Sequence, residues 1–165
     1  GTYSATPAGI SFGLNGDINL SASQPGTYTV TNTFSNGTCS NTATTSVTIN
    51  PLPTASISGT TAVCRNAASP NITFTGANGT ANYTFTYKIN SGSNQTISTT
   101  AGSSIVTVAV PTGTAGTFTY SLVSVSDANG CSKAQSGTAT ITVNPLPYAT
   151  ITDTGGSFGN AVSVN

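Results

Sequence analysis

From Thr54 onward the chain alternates apolar and hydroxyl-bearing residues with a period of two. Ala55 and Ile57 alternate with Thr54, Ser56 and Ser58, and Ile72 and Phe74 with Thr73 and Thr75. Tyr83, Phe85, Tyr87 and Ile89 fall on one side of a third segment, Thr84, Thr86 and Lys88 on the other. This period predicts half-buried β-strands, apolar side in and hydroxyl side out. Gln95 to Ser98 reads as a weaker edge strand. Val106, Val108 and Val110 form the inner face of the next, which Pro111 ends. Phe118, Tyr120 and Leu122 continue the apolar face, and the phase then slips to Val123 and Val125, which predicts a β-bulge. Asp127-Ala-Asn-Gly130 reads as a hairpin turn, because Asn-Gly readily takes positive φ. Ala139, Ile141 and Val143 close the set. Seven strands separated by turn signals predict two packed sheets.

The pattern repeats. Residues 50–58 read Asn-Pro-Leu-Pro-Thr-Ala-Ser-Ile-Ser, and residues 144–152, 94 positions later, read Asn-Pro-Leu-Pro-Tyr-Ala-Thr-Ile-Thr. Pro25-Gly-Thr-Tyr-Thr-Val30 likewise parallels Ala115-Gly-Thr-Phe-Thr-Tyr120, Cys39 parallels Cys131, and Ser46-Val-Thr-Ile49 parallels Thr140-Ile-Thr-Val143. A period of this size suits an immunoglobulin-type sandwich. The expected organisation is the C-terminal part of one repeat over 1–50, a complete repeat over 51–146, and the first strand of a following one over 147–165. With no Met at its start, the chain reads as a piece of a longer array whose export signal lies elsewhere. Each Pro-Leu-Pro joint fixes φ and withholds donors, so it reads as a short, stiff connector.

Composition narrows the chemistry. Thr (33) and Ser (22) make up a third of the 165 residues, yet the hydrophobic fraction of 36% sets the chain apart from a disordered polar stalk. Six side chains carry charge: Arg65, Lys88, Lys133, Asp17, Asp127 and Asp153. There is no His, Glu, Trp or Met. General acid–base catalysis lacks its usual groups. Zinc and calcium sites lack their usual ligands. A net charge of zero offers nucleic acid no basic patch, and no apolar run spans a membrane. The chain reads as all-β and non-enzymatic, with no cofactor, no metal, no nucleic-acid partner and no membrane insertion. The aspartates sit near Gly or Asn and read as turn residues.

The three cysteines suggest an oxidising compartment. Cys64 precedes the second strand of the complete repeat and Cys131 follows the Asn-Gly turn. The reading pairs them in a disulfide, with a partner for Cys39 upstream; three reduced thiols are the alternative. Among six tyrosines, four fall on inner faces, and Tyr148, beside the second joint, is the aromatic singled out for ligand contact.

With these features in register, the complete repeat resembles the PKD-like, immunoglobulin-like repeats of bacterial surface proteins. The motifs are Val63-Cys64 ahead of Ile72-Thr-Phe74, Gly116-Thr-Phe-Thr-Tyr120, Asn129-Gly-Cys131 and the Asn-Pro-Leu-Pro exit. Residues 1–50 are similar to another repeat from the same sources. The resemblance departs at Tyr87-Lys-Ile-Asn-Ser-Gly92, which lacks the Trp and carboxylates often found there. It implies giant cell-surface adhesins of the Bacteroidetes, type 9 secretion substrates that include gliding-motility adhesins. Its implied location is extracellular. Its implied partners are neighbouring repeats, the secretion and motility machinery, and surface polysaccharides. The expected function is a structural stalk; a carbohydrate-binding module and a strand-donating filament subunit are the alternatives.

Overall fold

The computed structural model describes residues 1–150, and every element in it is β or loop. The expectations for Asp153 and the remainder of 151–165 lie outside the described residues. Residues 147–150 are in no strand.

The first 50 residues contribute β1 (Thr2–Thr6), β2 (Gly26–Ser35) and β3 (Ser40–Ile49), an antiparallel sheet in that order. One face is uniformly hydroxylic, as the pairs Thr27↔Thr48, Thr29↔Ser46, Thr31↔Thr44 and Thr33↔Thr42 show. The other carries Tyr28 and Val30, both buried. Segment 7–25 returns to the strand at Tyr28, whose hydroxyl donates to the Gln24 carbonyl at 2.8 Å.

The longer part contains β4 (Thr54–Ser58), β5 (Thr61–Cys64), β6 (Asn71–Ala77), β7 (Thr84–Ile89), β8 (Gln95–Ser98), β9 (Ile105–Ala109), β10 (Gly116–Ser126), β11 (Ser132–Ala134) and β12 (Thr138–Asn144). One sheet runs β4-β6-β9; the other runs β5-β12-β10-β7-β8, with β11 paired to β10. Ile72 and Phe74 from the first sheet share one core with Phe85, Tyr87, Tyr120, Leu122, Ile141 and Val143 from the second. The ring of Phe74 lies 5.0 Å from that of Tyr87 and 5.5 Å from that of Phe85. The arrangement is consistent with a β-sandwich. The phase slip has its cause: the pairing of β10 with β7 shifts between Leu122 and Ser124, which turns Val125 into the core.

Two strands go beyond the seven expected. The chain leaves β4 at Gly59, where φ is +116° and a Cβ would press into the Asn71 carbonyl. It then joins the opposite sheet as β5, parallel to β12. This change of sheet carries the chain to the far end of the fold before β6 turns back. The first sheet has its counterpart: β1-β2-β3 matches the order β7-β10-β12.

Candidate functional site

The most organised polar cluster lies where the first joint meets the β10–β11 turn. Asp127 is 7% exposed. Its Oδ1 accepts the backbone N–H of Asn129 at 3.1 Å and of Cys131 at 2.9 Å, and its Oδ2 accepts that of Thr80 at 3.0 Å. The Asn129 amide donates to Thr80 Oγ1 at 2.9 Å, and the Ala128 N–H donates to the Thr80 carbonyl at 3.0 Å. One carboxylate thereby ties the β6–β7 loop to the hairpin tip. Pro53 is fully buried here, so close to Gly79 that a Cβ on that glycine would sit 3.0 Å from the Pro53 ring and 2.8 Å from Asp127 Oδ2. Tyr83 closes the same loop by donating its hydroxyl to the Gly79 carbonyl at 2.7 Å. The turn duty expected of Asp127 is observed, with a long-range role that its local sequence did not indicate.

The Cys39 tip also hangs on one Asx side chain, in a turn one residue shorter. Asn36 Oδ1 accepts the N–H of Thr38 at 3.1 Å and of Cys39 at 2.9 Å, and the Asn36 N–H donates to the Cys39 carbonyl at 3.2 Å. At the other tip, the Asp127 N–H donates to the Cys131 carbonyl at 3.0 Å. Each cysteine thus follows a tip held by one Asx side chain, Cys39 three residues after Asn36 and Cys131 four after Asp127.

The expected Cys64–Cys131 disulfide is not formed. All three thiols are free. Cys64 pairs with Asn144, next to Val143, which faces Gly116 at the start of β10; Cys131 lies past Ser126, at its end. A strand of that length holds the two cysteines roughly 30 Å apart, whereas bonded cysteines have Cα atoms within about 7 Å. The sequence reading placed Cys64 at the wrong end because it missed β5.

Clefts mark both ends. One of about 440 Å³ is lined by Leu20, Ser21, Thr48, Ile49, Asn50 and Leu52 together with Cys131, so the hairpin tip borders the first joint. Another of about 420 Å³ lies at the opposite end of the longer part, between Ile89, Val110, Pro111, Phe118 and Tyr120. Tyr148 is 90% exposed, while Tyr28, Tyr83, Tyr87 and Tyr120, the four expected on inner faces, are buried. Burial pushes the Tyr120 phenol above its usual pKa, and the neighbouring Tyr87, with ring centres 6.0 Å apart, adds to the shift. Among the described residues, no three His, Cys, Asp or Glu side chains gather where a metal ion could be held. Arg65 binds backbone, its Nε donating to the Gly113 carbonyl at 2.9 Å. Neither a protein family model nor a curated protein sequence matches the chain.

Proposed function

We propose that the chain is a stretch of passive spacer from a long, secreted cell-surface adhesin, built of immunoglobulin-like repeats in tandem. The observation that carries this reading is the burial of Pro53 beside the Asp127 cluster. The joint is thereby built into the unit that follows it, and a stiff joint sets the direction of the next unit instead of letting it swing. The Asx-held hairpin tips at Cys39 and Cys131, and the shared order of β1-β2-β3 and β7-β10-β12, support a tandem arrangement. The facing sheets β4-β6-β9 and β5-β12-β10-β7-β8 support the immunoglobulin-like assignment. The hydroxylic, nearly uncharged outer faces offer little long-range attraction to partners, which suits a spacer.

The test is cellular. An antiserum raised against the chain should label intact cells of the source organism, and deletion of the gene should reduce attachment or surface movement. Labelling confined to lysed cells would end the proposal.

A further inference from the structure

The cleft of about 420 Å³ between Ile89, Val110, Pro111, Phe118 and Tyr120 is apolar, and no charged side chain lines it. Its walls are held from both sides. Ile89 on β7 faces Tyr120 on β10. The loop after β9 is tied to the segment after β5 by four hydrogen bonds. The Val110 N–H donates to the Pro70 carbonyl at 2.9 Å, and the Asn66 N–H to the Thr112 carbonyl at 3.0 Å. Thr112 Oγ1 donates to the Ala67 carbonyl at 2.6 Å, and Arg65 Nε to the Gly113 carbonyl at 2.9 Å. A cleft fixed by its own backbone is formed before a ligand arrives, so little ordering is left for the binding step.

Tyr120 supplies the polar contact. A buried tyrosine ordinarily finds a partner for its hydroxyl, and three here do. Tyr28 donates to the Gln24 carbonyl at 2.8 Å, Tyr83 to the Gly79 carbonyl at 2.7 Å and Tyr87 to Gln95 Oε1 at 3.2 Å. Tyr120 is 3% exposed, yet its hydroxyl bonds to no protein atom among the described residues. That hydroxyl is not sealed in either: among the described residues, the enclosed side-chain oxygen without a partner is Asn32 Oδ1. Its outlet is therefore the cleft that Tyr120 lines. Burial keeps the phenol protonated beyond its ordinary range, so the cleft offers an O–H donor among apolar walls.

The geometry points to a binding site for a small, uncharged ring compound with one acceptor oxygen, such as an aromatic ketone. The ring lies against Phe118 and Pro111, and the oxygen accepts from the Tyr120 hydroxyl. A cavity of about 150 Å³ takes benzene, so a substituted ring has room. A charged ligand would give up its hydration without meeting a counter-charge in the lining. The site is independent of the spacer reading and needs no second repeat.

The experiment is titration of the isotope-labelled full chain with acetophenone, ethylbenzene and benzoate in turn, followed through the amide NMR shifts. Acetophenone should move the amides of Ile89, Val110, Gly113, Thr114 and Phe118. It should bind about three- to tenfold more tightly than ethylbenzene, the worth of one neutral hydrogen bond. Benzoate should bind more weakly than acetophenone. Tyr120→Phe keeps the ring and removes the donor, and should bring acetophenone down to the affinity of ethylbenzene. Shifts that miss these amides or scatter over the surface would overturn the inference. So would a wild type with no preference for acetophenone over ethylbenzene, a preference that survives Tyr120→Phe, or tighter binding of benzoate. Surface labelling of intact cells is untouched by any of these results, so failure here is separable from failure of the spacer reading.

Discussion

The carboxylate of Asp127 accepts the backbone N–H of Thr80, 47 residues earlier, at 3.0 Å. Two further backbone donors, from Asn129 and Cys131, share the same side chain. Asp127→Ala leaves all three without their acceptor and should cost about 2–3 kcal/mol, the range for losing hydrogen bonds to a charged group. Asp127→Asn retains an acceptor for the hairpin tip but turns an amide N–H toward the Thr80 N–H, so a smaller loss of about 1 kcal/mol is expected. Urea denaturation followed by circular dichroism measures both. Equal stability of the wild type and Asp127→Ala would remove this residue from the centre of the joint.

Gly79 tests the close approach of Pro53. A methyl group there meets Asp127 Oδ2 at 2.8 Å and Pro53 at 3.0 Å, while at Gly113 it meets nothing within 4 Å. Gly79→Ala should destabilise by about 1–3 kcal/mol, as overpacking does. Gly113→Ala should stay within about 0.5 kcal/mol of wild type. Thermal melts of the two variants side by side provide the comparison.

Stability should vary little between pH 5 and 8, because the chain has no His, the side chain whose ordinary pKa falls there. Tyr120 contributes on the alkaline side. Its phenol is held above the usual value in the fold, so the folded state keeps the proton longer than the unfolded chain. The stabilisation is complete below the unfolded pKa of about 10 and is lost as pH rises through the folded value. Tyr120→Phe should flatten that alkaline fall. Chemical denaturation at stepped pH checks the slope.

Because Cys39, Cys64 and Cys131 are free thiols, a reductant should leave the melting temperature of the monomeric chain unchanged. A maleimide should label Cys39 and Cys64 readily in the folded protein and Cys131, which is half-buried, more slowly. A drop in melting temperature on reduction of the monomer would restore an internal disulfide. Mass spectrometry of the labelled, undenatured chain resolves the three sites.

Much of the longer part was legible because its strands obey one rule, apolar inward and hydroxyl outward. Phe74, Phe85, Tyr120 and Ile141 all fell where alternation put them. The slip at Val123 was legible because a bulge must break the period, and the register shift lies there. The switch of sheets at Gly59 was not. Thr61–Cys64 is too short for its period to register, and its parallel pairing with β12 is non-local. That single omission moved Cys64 to the wrong end and produced a disulfide that the fold separates. Asp127 was legible as a turn residue from Asn129-Gly130, but its reach to Thr80 depends on two loops meeting in space. Tyr148, singled out for ligand contact, is exposed, beside a joint whose Pro147 is also exposed.

The stiffness of the first joint can be measured with the chain's own thiols. Cys39 lies before it, Cys64 after it, and both are exposed. In a Cys131→Ser background, nitroxide labels on these two residues give the distance distribution across Asn50-Pro-Leu-Pro53 by pulsed electron paramagnetic resonance. A single narrow distribution, broadened when 50–53 is replaced by Gly-Ser-Gly-Ser, is the expected result. A distribution equally broad in both chains would contradict a joint built into the unit that follows it.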